Sequence, residues 1–182
     1  LNTFDNFIQI KNPKMMAAGV FYKSTPSFLA AFQQLDFLSL QGTTIGSFGN
    51  NQAFMCNGAN FCYQKAFFYE LNGFDGNDKI ASGDDVFLLQ KAIQKDSKNV
   101  RFLKSELAIV QTGTEKTWRN LFHQRVRWAS KTGNYVSLYS KQLGVSVLVM
   151  NLFWIFSLCL LVFGKFDQNY FILFLSLKFL VD

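Results

Sequence analysis

The chain has 182 residues, enough for one domain of ordinary size with a membrane appendage. Its 22 phenylalanines exceed what a small soluble core needs, and its net charge is +6. Three cysteines without C-x-x-C spacing and a single histidine argue against a disulfide framework, His-based zinc chemistry and Ser/His catalysis.

Hydrophobic patterns over the first 142 residues predict a mixed α/β domain. Apolar runs predict strands at residues 14–22, 52–63 and 100–112, the second broken at Asn57 and Gly58. Helical spacing predicts helices at residues 26–42, 83–95 and 114–133. Gly42 and Gly133 are the expected stops, and Thr114 is the expected cap of the third helix.

A charge-free run of nineteen residues follows at 145–163. At about 1.5 Å per residue it would span roughly 28 Å, so we predict a transmembrane helix over 143–163 rather than a buried soluble helix. A connector at 164–169 leads to a second, truncated span at 170–182. Because Lys and Arg accumulate before the first span, we expect a multi-pass protein of the cell (inner) membrane with residues 1–142 in the cytoplasm.

The stretch HQRVRW, residues 123–128, places Gln124, Arg127 and Trp128 on one helical face and turns Arg125 about 100° away. A guanidinium suits phosphate oxygens, and an indole plane suits a sugar ring or a base. The alternative is a juxtamembrane helix with snorkelling arginines and an interfacial tryptophan. Arg125 is the better candidate for that plain lipid or structural role.

Two further stretches allow both a structural and a chemical interpretation. In SGDDVFLL, Ser82 and Asp85 could form a helix capping box beside Asp84, or one aspartate could act as a general base and the other position it. In CNGANFCY, Asn57 and Gly58 could form a plain turn, or let the backbone approach a ligand closely.

In this order, CNGANFCYQKAFFYELNGFDG, GDD, HQRVRW and the hydrophobic spans resemble the catalytic second half of membrane-bound family 2 glycosyltransferases of GT-A fold, the group of cellulose, chitin and hyaluronan synthases. The resemblance covers roughly residues 14–163. It implies a partial GT-A domain followed by transmembrane helices. It also implies inverting transfer of a sugar from a nucleotide-sugar donor to a carbohydrate or lipid-linked acceptor.

The resemblance also implies roles for individual residues. Asp85, preceded by Asp84, would be the general base on the acceptor hydroxyl. Arg127 with Gln124 would bind the donor diphosphate, and Trp128 would line the acceptor site. The loop of Cys56, Asn57 and Gly58 would lie beside the donor sugar and the acceptor end.

The chain departs from this family in one respect: it has no D-x-D motif. In the family that upstream motif binds a divalent cation with the nucleotide, so we expect Mg or Mn in the full-length protein and no metal ligands in this chain. Because the chain starts without methionine and ends at an apolar stretch, we expect a fragment, and because the D-x-D motif is missing, we expect this fragment to be inactive alone.

Two other functions stay open for the sequence. One is a catalytically inactive relative in which GDD only caps a helix. The other is a membrane-anchored binding module whose basic helix docks on anionic membrane lipid. A nucleic-acid partner is not expected, since the basic residues adjoin a membrane span and no nucleic-acid-binding module is recognisable.

Overall fold

A computed structural model describes residues 2–23, 25–76, 83–132 and 137–181. The chain divides into two compact units, residues 1–137 and 138–182. The first unit is mixed α/β and the described part of the second is helical, which agrees with a partial GT-A domain followed by an apolar helical segment.

The described part of the first unit contains five short strands in two sheets. The strands are β1 (Met15–Ala18), β2 (Val20–Tyr22), β3 (Phe61–Tyr63), β4 (Val100–Leu103) and β5 (Val110–Thr112). β1 lies between antiparallel β3 and parallel β4, and β2 pairs in parallel with β5. The first and third predicted strands are therefore each split in two, and the second survives only as β3.

Five helices accompany these strands in the described part of the first unit. They are α1 (Asn2–Lys11), α2 (Phe28–Gly49), α3 (Lys65–Glu70), α4 (Asp84–Asp96) and α5 (Trp118–Thr132). The sequence patterns predicted α2, α4 and α5, and they missed α1 and α3. The interruption between β4 and β5 includes a short 3₁₀ turn at Glu106–Ala108.

The main core lies between the three-stranded sheet and helices α2, α3 and α4. All four residues of β1 are buried, so the strand reads as a continuous apolar run rather than an alternating one. The buried apolar side chains of this core are Met15, Ala17, Phe48, Ala53, Phe67, Leu71, Leu88, Leu89, Ala92 and Val100.

Helix α2 extends seven residues beyond Gly42, the stop that the sequence predicted. A methyl group at Gly42 would meet nothing within 4 Å, so no packing demands a glycine there. The added turns bury Thr44, Ser47 and Phe48 in the first unit. Tertiary packing therefore outweighs the low helix propensity of glycine at this position.

Helix α5 begins at Trp118, four residues after the predicted cap Thr114. The cap is Thr117 instead, whose Oγ1 accepts a hydrogen bond from the Asn120 backbone N–H at 3.2 Å. The expected stop Gly133 and the expected cap Ser82 of α4 lie outside the described residues.

The second unit contains α6 (Leu138–Val162) and α7 (Gln168–Val181). Within the described ranges α6 alone is long and apolar enough to cross a membrane, and none of its apolar side chains is buried. Edge-to-face contacts join the two helices, Trp154 with Phe171 and Phe153 with Phe174. Helix α7 has 14 residues and is shorter than a span, so a second crossing is not shown.

Candidate active site

The carboxylate of Asp85 is held at the start of α4 by two backbone N–H groups. Its Oδ2 accepts a hydrogen bond from Gly58 N–H at 2.7 Å, and its Oδ1 accepts one from Val86 N–H at 2.9 Å. A carboxylate offers about four acceptor positions, so about two remain for other donors. The Oδ2 bond to the distant loop at Gly58 is not the reciprocal bond of a capping box.

Gly58 approaches Asp85 so closely that a side chain at this position would require a small shift of Asp85. A Cβ atom on Gly58 would lie 3.1 Å from Asp85 Oδ2 and 3.4 Å from Asp85 Cβ. The chain forms a 3₁₀ turn here, Gly58–Asn60, and the Asn57 side chain accepts a hydrogen bond from Ala59 N–H. Glycine therefore allows a close approach to the Asp85 carboxylate, and the expected approach to a ligand stays a prediction.

Asn60 fixes this loop to the ends of two strands. Its buried Nδ2 donates to the carbonyls of Gly19 and Ala108, at 2.7 Å each. Gly19 separates β1 from β2, and Ala108 precedes β5. The loop therefore lies beyond the carboxyl end of β1, where ligands bind in open α/β sheets.

Cys56 lies in the same loop beside Asp85. Burial raises the pKa of the Cys56 thiol well above its ordinary value, and the negative charge of Asp85 raises it further. The thiol therefore stays protonated at neutral pH. Asp84 is exposed at the first position of α4.

On α5, Trp128 and Arg125 pack together against α2. The Arg125 guanidinium lies over the Trp128 ring, with Cζ 4.3 Å from the ring centroid. It also forms an ion pair with Asp36 of α2. Trp128 packs on the apolar cluster of Val20, Tyr22 and Phe37. Burial raises the pKa of Tyr22, and the positive charge of Arg125 opposes this increase.

Gln124 is already engaged by neighbouring side chains. Its Nε2 donates to Glu115 Oε1 at 3.0 Å, and its Oε1 accepts from Arg125 Nη1 at 3.3 Å. Glu115 is in turn held by buried Gln33 of α2, which bonds both its N–H and its carbonyl. The loop before α5 is thus fastened to α2.

The structure gives Arg125 a structural role, one of the two roles expected for it, and also brings it against Trp128. Arg125, assigned to another face, is the arginine that contacts Trp128. Arg127 is exposed, and no ion pair to it occurs within the described ranges. Leu121 is buried and marks the face of α5 that packs on the rest of the first unit. Trp128 lies on this face and points inward, whereas Arg127 lies to one side of it.

Strand β2 connects the Asp85 region to the Trp128 region. Asn60 bonds the carbonyl of Gly19 at the start of β2, and Trp128 packs near Tyr22 at its end. Three residues of strand separate these points, about 10 Å at about 3.3 Å per residue. The Asp85 region therefore lies near the amino end of β2, and the Trp128 region lies near its carboxyl end.

A metal ion has no matching ligand set in the described part of the chain. Within it, no group of three or more His, Cys, Asp or Glu side chains could hold one. The residues near Asp85 thus do not fit a divalent cation by themselves.

Comparison with known families decides the class of this protein. The sequence profile of glycosyl transferase family group 2 matches residues 6–181. The chain belongs to this family. Searches of curated proteins and of solved structures found no match. This match confirms the family that the ordered motifs resembled. As a family 2 glycosyltransferase domain, the chain acts on a sugar donor and an acceptor.

Several residues that build this candidate site carried no recognisable signal in the sequence. Asn60, Gln33 and Asp36 act through partners between 41 and 89 positions away, which no local pattern shows. The sequence did single out Asn57 and Gly58 in the stretch NGAN. Asn60 ends the same stretch and could have been considered with them.

Proposed function

We propose that the chain is the acceptor-side part of an inverting glycosyltransferase with Asp85 as the general base. The observation that carries this proposal is the Asp85 carboxylate, which is bonded to the backbone of Gly58 beyond the carboxyl end of β1. Two N–H groups orient the carboxylate and leave acceptor positions for a substrate hydroxyl.

The proposed step is a single displacement. Asp85 takes the proton from the acceptor hydroxyl as its oxygen attacks the anomeric carbon of the donor. The new C–O bond forms while the bond from that carbon to the diphosphate breaks, and the nucleoside diphosphate leaves with the electron pair. Attack from the face opposite the leaving group inverts the configuration at that carbon.

The remaining residues have proposed roles around that step. Arg127, exposed on α5, would bind the departing diphosphate, with Gln124 next to it on the helix. Trp128 would stack on the acceptor sugar, and Cys56, Asn57 and Gly58 would border the donor sugar and the acceptor end. Asp84 would help to position Asp85.

We place the reaction at the cell (inner) membrane. The apolar length of α6 supports a membrane span, and the Lys and Arg excess before it supports a cytoplasmic catalytic part. The acceptor would be a carbohydrate or a lipid-linked sugar. Since the described residues do not fit a metal, no step above depends on Mg or Mn.

A lipid-docking module is the second candidate, because aromatic side chains are exposed beside cations. Phe28, Trp118 and Phe122 are at least half exposed, and Arg119 follows Trp118 on α5. Such a surface could bind anionic lipid without any transfer chemistry.

The test is Asp85→Asn in the full-length protein, with Asp84→Asn beside it. Loss of a general base should lower the transfer rate about 10²- to 10⁴-fold, and Asp84→Asn should lower it less. Sedimentation with phosphatidylserine vesicles should be unchanged by Asp85→Asn. Normal transfer by Asp85→Asn would refute the enzymatic proposal, and vesicle binding without any wild-type transfer would favour the docking module.

A further inference from the structure

We propose that Arg125 is a positioning residue, which clamps the indole of Trp128 to helix α2 and so sets the surface on which the acceptor sugar stacks. The part about the sugar rests on the proposed function. The clamp itself rests only on contacts within the first unit.

The Arg125 guanidinium has several partners around Trp128. It lies over the indole with Cζ 4.3 Å from the ring centroid, and it pairs with Asp36 through Nη2. Its Nη1 donates to Gln124 Oε1 at 3.3 Å. A guanidinium is planar, so hydrogen bonds at its edge leave its face free to stack on the ring.

One turn of α2 supplies both supports of the tryptophan. Asp36 holds the guanidinium, and the next residue, Phe37, lies 6.4 Å from the Trp128 ring with the two planes 46° apart. Phe37 is buried and also contacts Tyr22 of β2, with ring centroids 4.5 Å apart. The orientation of the indole is thus tied to the sheet through α2.

This arrangement limits how a sugar can use Trp128. Because the guanidinium covers one face of the ring and Phe37 packs beside it, a sugar could stack only on the part of Trp128 that stays exposed. Without Arg125, the ring would lose this cover and could turn about its side-chain bonds. Stacking on a fixed aromatic plane costs less conformational entropy than stacking on a mobile one.

The clamp is expected to affect geometry more than stability. The side chains of Arg125 and Asp36 remain 26% and 38% exposed, so solvent screens their attraction. Variants of the pair should therefore unfold at nearly the wild-type temperature. A residue with a merely structural role would show the opposite result.

The first experiment measures how accessible the Trp128 ring is, through the quenching of its fluorescence. In the full-length protein carrying Trp118→Phe and Trp154→Phe, Trp128 is the only tryptophan of this chain, and any tryptophan outside it is also replaced by phenylalanine. Acrylamide quenching of this fluorescence should increase about twofold in Arg125→Met and in the conservative Asp36→Asn. Arg119→Met removes the same charge from an exposed position of the same helix and should change nothing.

The second experiment measures the KM for the acceptor. With a UDP- or GDP-sugar donor and a disaccharide acceptor that the wild type uses, the acceptor KM should rise about fivefold to tenfold in Arg125→Met and Asp36→Asn. The KM for the donor and the kcat should stay within about twofold. Arg125→Lys should restore the pair with Asp36 but not the planar stack. Its acceptor KM should therefore lie between the values of the wild type and of Arg125→Met.

Four results separate the clamp from the proposed function. Unchanged quenching in both variants would overturn the clamp. Increased quenching with an unchanged acceptor KM would overturn its role in acceptor binding, provided that Trp128→Ala raises that KM. If Trp128→Ala does not raise it, the acceptor role of Trp128 fails, and quenching alone then decides the clamp. Unfolding at a much lower temperature in Asp36→Asn would show a structural role instead.

Discussion

Asn60 should be the most sensitive polar residue of the loop that holds Asp85. Asn60→Ala removes two hydrogen bonds of 2.7 Å from a buried amide. The Gly19 carbonyl still accepts a hydrogen bond from Val110 N–H at 3.1 Å, so losing its bond from Asn60 costs about 1 kcal/mol. The Ala108 carbonyl loses its Asn60 donor inside the protein, which costs about 1–3 kcal/mol. The expected loss in the free energy of unfolding is about 2–4 kcal/mol.

The matched control is Asn57→Ala in the same loop. The Asn57 side chain accepts one hydrogen bond from Ala59 N–H at an exposed position, so its loss should cost about 0.5–1 kcal/mol. Thermal unfolding followed by circular dichroism in detergent should show a shift several-fold larger for Asn60→Ala than for Asn57→Ala. Equal shifts would refute the reasoning that Asn60 fastens the loop to both strands.

Three other substitutions test separate parts of the structure. Gly73→Ala should destabilise the protein by about 2 kcal/mol or more, because Gly73 has a φ of +48° and an added Cβ would lie 2.7 Å from Phe68 Cζ. Gly42→Ala in α2 should instead stabilise the protein by about 1 kcal/mol. Equal shifts of the two variants in urea unfolding would contradict this reasoning. Gly58→Ala should lower transfer about tenfold by displacing Asp85, with Gly113→Ala, where a methyl group meets nothing within 4 Å, as the unaffected control. Asp85→Asn should lower the raised pKa of Cys56 and so speed its alkylation by iodoacetamide at pH 8, because more thiolate is present once the neighbouring charge is gone. The last comparison needs Cys62→Ser and Cys159→Ser in the background, and an equal effect of Asp84→Asn would count against a specific Asp85–Cys56 interaction.

The sequence predicted those parts of the fold that depend on local periodicity. Helix α4 is an example, because Val86 and Leu89 are buried as their spacing requires. The long charge-free run likewise predicted α6. The splitting of the strands at Gly19 and before Val110 was not predictable, since it coincides with the side chain of Asn60 reaching two carbonyls 41 and 48 positions away.

The candidate site was predictable as a set of residues but not as a set of contacts. The ordered motifs marked Asp85, Gly58 and Trp128, and two of these are joined by a direct hydrogen bond. The helical wheel did not show what Arg125 contacts, because a wheel gives angles on one helix and not the position of Asp36 on another. The catalytic and binding roles of these residues remain predictions.

The central claim is that Asp85 acts in the chemical step and not in donor binding. The most direct measurement compares kcat with the donor dissociation constant, the latter by calorimetry, for wild type and Asp85→Asn in the full-length protein. The account predicts that kcat falls by at least about 100-fold while the dissociation constant stays within about twofold. An unchanged kcat, or a loss explained entirely by weaker donor binding, would contradict it.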